Sequence, residues 1–176
     1  GFFLYGIHIL SALLTGLFFR QKDYCREIQP VQLDSVYIIQ ALPEAVKQSV
    51  ASLMNVCGFV MCFTVLVGLL DVKGYVSLLC GWAVERSGLE LSFCHAAFSG
   101  LLELGSSVGS MSGMRLTPVN LALAAGVLGW GGISVHFQTI SVLAGSKIKG
   151  ALHFAGRLIS AGIAAVLAFV LTPLFF

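Results

Sequence analysis

Glu103 stands between leucines in Gly100-Leu101-Leu102-Glu103-Leu104-Gly105-Ser106-Ser107, and His136 lies in a second motif, Gly129-Trp130-Gly131-Gly132-Ile133-Ser134-Val135-His136-Phe137-Gln138. An acid in an apolar run must bind a proton, meet a cation or fix a broken helix, because a bare buried carboxylate is expensive. Behind Glu103, the tract from Gly105 to Gly113 is too rich in glycine and serine for a regular lipid-facing helix. Where a helix stops at membrane depth, free N–H groups suit anions and free carbonyls suit cations. In the second motif the glycines release the backbone, Ser134 and Gln138 share a helical face four residues apart, and His136 lies on another. Histidine is also the side chain that changes charge near neutral pH. The candidate substrate-binding set is therefore Glu103, Gly105, Ser106, Ser107, Gly131, Gly132, Ser134, His136 and Gln138. Each has a structural alternative: a cap on a broken helix for Glu103, an ordinary loop for the Gly/Ser tract, an interhelical hydrogen bond for His136.

The elements that must position these groups follow from composition. Of the 176 residues, 57% are hydrophobic and 10% are charged, against roughly 25% charged in soluble domains. The expected fold class is an all-α integral membrane protein, whose first partner is the lipid bilayer. A spanning helix needs about 20 apolar residues. Residues 1–19 form a first transmembrane helix, 20–42 a cytoplasmic connector, and 43–176 a second transmembrane unit. Within that unit the expected spans are about 46–70, 117–145 and 151–176. The stretch 75–113 is too short or too interrupted to cross cleanly, and is expected as a re-entrant hairpin; the glycines at 129–132 are expected to break the helix around them. Thr117-Pro118 supplies a start for that helix, with threonine as N-cap and proline at the first helical position.

Charge placement favours the re-entrant reading. It puts Arg20, Lys22, Arg26, Lys47, Lys147 and Lys149 on one face, against Lys73, Arg86 and Arg115 on the other. A full crossing would reduce the asymmetry to five against four. Ser49, Ser52 and Asn55 make a polar stripe expected to pack against another helix, and Arg157 is expected to snorkel to the interface or pair with an acid. The five cysteines are scattered without C-x-x-C spacing, so they read as small hydrophobes rather than a zinc site or disulfide framework. No phosphate loop, dinucleotide fingerprint, HExxH or nucleophile elbow occurs. An enzyme, a cofactor, a metal site and a nucleic-acid partner are accordingly not expected.

The segments Ala45–Val50, Gly58–Leu66, Gly100–Leu104, Gly131–Gln138 and Gly156–Ile159, in that order, resemble the YlbJ (SpoVV) family of sporulation integral membrane proteins. The resemblance covers nearly the whole chain, and its most specific piece is Gly131-Gly132-Ile133-Ser134-Val135-His136-Phe137-Gln138. It implies a nucleoside-recognition gate domain built from helical repeats with hairpins and broken helices. It also implies that this chain is the C-terminal half, joined to an N-terminal half that would be its partner. The function implied is transport of a small carboxylated anion, dipicolinate, from the mother cell across the outer forespore membrane during endospore formation. One departure stands out: Gly105 and Ser106 occupy positions where the family carries threonine and asparagine. Two other readings stay open at this point. One is a non-transporting sporulation membrane protein; the other is a nucleoside or other metabolite carrier on the same fold.

Overall fold

The computed structural model describes residues 1–20, 35–143 and 150–175. Among them there are helices and no strands. The helices are α1 (Phe2–Phe18), α2 (Ser35–Val72), α3 (Tyr75–Ser87), α4 (Leu91–Leu102), α5 (Leu104–Ser110), α6 (Pro118–Trp130), α7 (Gly132–Leu143) and α8 (Gly150–Phe175). Among the described residues three segments are long and apolar enough to cross a membrane: Ile39–Val72, Pro118–Leu143 and Gly150–Phe175. Most of the expected connector and the Lys147/Lys149 loop lie outside the described residues.

Small side chains set the centre of the bundle. α6 lies along α8 because Gly129 has no Cβ: a methyl group there would stand 2.7 Å from Ala161 Cα. One turn earlier, Gly126 faces Ala165. Spacing small residues by three or four positions lets helix backbones approach where no hydrophobic effect drives them together. α1 completes this layer, with Ile7 buried beside Ala125, Ala164 and Ala168. It runs antiparallel to α8, as Phe3 meets Phe175 at one end and Phe19 reaches Gly156 at the other.

α3 and α4 form a second, shorter pair. Gly74 and Gly88 adopt left-handed backbone at the two ends of α3, the conformation glycine reaches without a Cβ penalty. Val76, Cys80 and Cys94 are buried between the two helices, with Leu70 and Phe98 packed on them. At 1.5 Å per residue, α3 and α4 are each about 20 Å long, short of the ~30 Å hydrocarbon core.

α2 begins at Ser35 and carries Pro43 inside the helix, so the helix starts well before the expected boundary at residue 43. The stripe Ser49, Ser52 and Asn55 is exposed rather than packed. α2 does make a contact further along, where Phe59 and Phe63 lie against Phe137 of α7. Upstream of that contact the helix has run past its neighbours, and residues 39–55 are exposed throughout. Of the cysteines, Cys80 and Cys94 are buried small hydrophobes, Cys57 and Cys62 are exposed, and Cys25 lies outside the described residues.

Candidate functional site

Two helix junctions meet at the centre of the candidate site. α4 ends at Leu102 and α5 starts at Leu104; Glu103 between them is extended, with φ −150° and ψ 130°. α6 ends at Trp130 and α7 starts at Gly132, and Gly131 and Gly132 have φ of +81° and +79°. The junctions touch directly. A methyl group on Gly132 would lie 3.0 Å from Leu102 O and 3.2 Å from Glu103 N. Two glycines in succession are thus needed twice over, for the left-handed turn and for the close approach.

The sequence reading places the interruption near Glu103 in the Gly/Ser tract itself. The interruption instead falls on Glu103, and Leu104–Ser110 is helical. The reason is the acid: its carboxylate accepts a hydrogen bond from Ser106 N at 2.7 Å, so Glu103 is the N-cap of α5. Once capped, even a glycine-rich turn can close its own ladder, and the negative charge suits the positive end of the helix. Gly105 makes room for this cap, since a Cβ there would stand 3.0 Å from Glu103 Oε2. Glu103 is buried at 4% exposure.

The remaining candidates separate into two groups. Ser107 is fully buried, but its hydroxyl donates to Ala96 O at 2.7 Å and ties α5 back onto α4. Ser106 supplies a backbone donor to Glu103 and a backbone acceptor to Ser110 Oγ. Their bonds therefore belong to the junction. On α7, by contrast, Ser134 and His136 are 1% and 4% exposed, and Gln138 is half-buried. Ser134 Oγ, both ring nitrogens of His136 and Gln138 Nε2 are buried without a hydrogen-bond partner among the described residues. Buried polar atoms are nearly always satisfied by protein, water or ligand. α7 thus carries three such residues just after the Gly131–Gly132 turn.

His136 does not face Glu103 in any contact among the described residues. Its ring sits 4.3 Å from Trp130, 4.9 Å from Phe154 and 5.8 Å from His153, centroid to centroid. Trp130 donates its indole N–H to Leu101 O at 3.1 Å, satisfying a carbonyl at the end of α4. Arg157 reaches the end of α6, donating Nη1 to Gly129 O at 3.3 Å. The sequence reading expects it to snorkel to the interface or pair with an acid; among the described residues it pairs with no acid and reaches Gly129 O instead. A cation at a helix C-terminus is favourable, and this one holds the carbonyl side of the Gly131–Gly132 turn.

Trp130, His153 and Arg157 thus belong to the site region although sequence reasoning does not assign them to it. A signal existed for two of them, since His153 and Arg157 are four residues apart and share a face of α8. Nothing in the sequence pairs Trp130 with Leu101 O, 29 residues away. A cavity of about 540 Å³ runs between α4, α6 and α8 past Phe93, Leu123 and Phe169 and is apolar. The polar chemistry is at the helix junctions instead. No family model, curated protein or solved structure matches the chain.

Proposed function

We propose that this chain is part of a membrane transporter for a small carboxylated solute, with its recognition site on α7 beside the two joined helix breaks. One observation carries the reading: Ser134, His136 and Gln138 hold buried polar atoms without partners among the described residues, immediately after the Gly131–Gly132 turn. Discontinuous helices of this kind build solute sites near the bilayer midplane in many secondary transporters. In this reading α3, α4 and α5 form a re-entrant hairpin, and α6 and α7 are the halves of one broken span.

The resemblance to the sporulation membrane proteins points to dipicolinate as the solute, moved toward the forespore across its outer membrane. Hydroxyl, imidazole and amide groups on α7 are suitable donors for its carboxylates. Glu103 repels such a solute. Its role is to hold the junction through Ser106 N, or to carry a coupling proton.

Substituting Glu103→Gln or His136→Ala in the full-length protein is expected to lower spore dipicolinate while leaving protein abundance unchanged. Normal dipicolinate in both variants would overturn the site. Uptake of labelled dipicolinate and labelled nucleosides into proteoliposomes then separates this solute from a nucleoside substrate. A non-transporting role in the forespore membrane draws support from the structural bonds of Glu103 and Arg157. It predicts that the same variants reduce abundance rather than flux.

A further inference from the structure

A second polar feature lies between α1 and α8, bordering the Gly131–Gly132 turn through Arg157. A cavity of about 330 Å³ is lined by His8, Thr15, His153, Arg157 and Ser160, with Phe19 and small residues between them. It sits toward the C-terminal end of α1 and the N-terminal end of α8, where Phe19 meets Gly156. Its size is in the range of sites that take small ligands.

The hydrogen bonds around the cavity indicate what is left to bind. Ser11 Oγ donates to His8 O at 2.9 Å, and Thr15 Oγ1 donates to Ser11 O at 2.7 Å. Ser160 Oγ lies 3.3 Å from Ser11 Oγ, and with the Ser11 proton already committed, Ser160 is the donor. The hydroxyl protons are therefore spent within the protein. His8 Nδ1, His153 Nε2 and Arg157 Nε remain buried with no partner among the described residues. Among the described residues no acid lines the cavity, and the His95–Asp71 contact lies elsewhere. A guanidinium held in a membrane helix without a carboxylate is costly, and such cations usually meet a counter-charge or mark a pathway. Arginine is also the side chain whose planar fork best matches oxyanions.

We propose that the α1/α8 cavity is a binding site for a phosphate-type oxyanion, held by Arg157 from α8 with His8 and His153 converging from α1 and α8. The site borders the α7 region through His153 and Arg157, but it uses none of Glu103, Ser134, His136 and Gln138, so it can fail while the transport reading holds. Phosphate could reach the cavity free in solution or as the headgroup of an anionic lipid, and the two sources offer the same oxygens to the same donors.

The full-length protein is titrated with inorganic phosphate in neutral detergent by calorimetry. In parallel, lipid retention is read by native mass spectrometry from nanodiscs of phosphatidylglycerol or phosphatidylcholine. The expected result is binding in at least one arm that falls at least 10-fold in Arg157→Gln and is largely kept in Arg115→Gln, a matched charge loss elsewhere. Binding in the phosphate arm identifies a soluble ligand, whereas selective retention of phosphatidylglycerol identifies a lipid headgroup. Because Arg157 also caps α6, its loss can abolish binding through misfolding, so His8→Ala and His153→Ala are measured as well. Each leaves that cap intact and is expected to weaken binding several-fold. No binding in either arm, or binding indifferent to His8, His153 and Arg157 alike, overturns the proposal.

Discussion

Gly132 lies flat against the backbone of Glu103, so closely that a methyl group on it would stand 3.2 Å from both the nitrogen and the Cα of the acid. This contact joins two interruptions that are 29 residues apart in sequence. Each interruption supplies what the other needs: the glycine gives space, and the extended acid gives a flat backbone to pack on. The region therefore acts as one unit, and substitutions at its two sides are expected to be non-additive.

Gly132→Ala combines two penalties. A left-handed backbone costs an L-residue about 1–2 kcal/mol, and forcing a methyl group against backbone atoms adds roughly 1–3 kcal/mol. Gly74 has a similar φ of +77°, but a methyl group there would have nothing within 4 Å, so Gly74→Ala isolates the first penalty. Denaturation midpoints in detergent are expected to fall clearly further for Gly132→Ala. Equal losses would show that the contact with Glu103 contributes nothing.

Glu103→Ala removes the N-cap of α5 and is expected to cost about 1 kcal/mol. Glu103→Gln keeps a side-chain oxygen for Ser106 N and is expected to retain more than half of that stability. If the two variants prove equally unstable, the charge rather than the hydrogen bond holds the junction.

Ser107→Ala should separate scaffold from recognition. Its hydroxyl is committed to Ala96 O, and losing such a bond costs about 0.5–1.5 kcal/mol. Thermal stability is expected to drop by that amount while solute affinity in proteoliposomes stays unchanged. A several-fold loss of affinity at full stability would return Ser107 to the binding set.

Gly129→Ala is expected to be far more damaging than Gly126→Ala. At residue 129 the methyl group meets Ala161 Cα at 2.7 Å, which cannot move without parting α6 from α8. At residue 126 it meets the Ala165 side chain at 3.4 Å, close to an ordinary contact. Expression and detergent stability of the two variants provide the comparison. Similar behaviour would mean that α6 and α8 are not held by this approach.

Sequence alone determined the all-helical, apolar character of the chain, because the spans are long enough to announce themselves by composition. It also set the local punctuation: Thr117 caps α6 through Asn120 N, with Pro118 at the first helical position, and the glycines at 131 and 132 take the left-handed turn. These depend on chemistry within a few residues. Tertiary structure decided how the motifs are shared out. It set Gly132 on Glu103, turned His136 toward Trp130, His153 and Phe154, and sent Arg157 to Gly129 O. It also left the Ser49, Ser52 and Asn55 stripe outside the packed body. Those outcomes depend on where distant helices cross, and helix crossings follow from the space left by small residues on both partners, which periodicity within one helix does not specify.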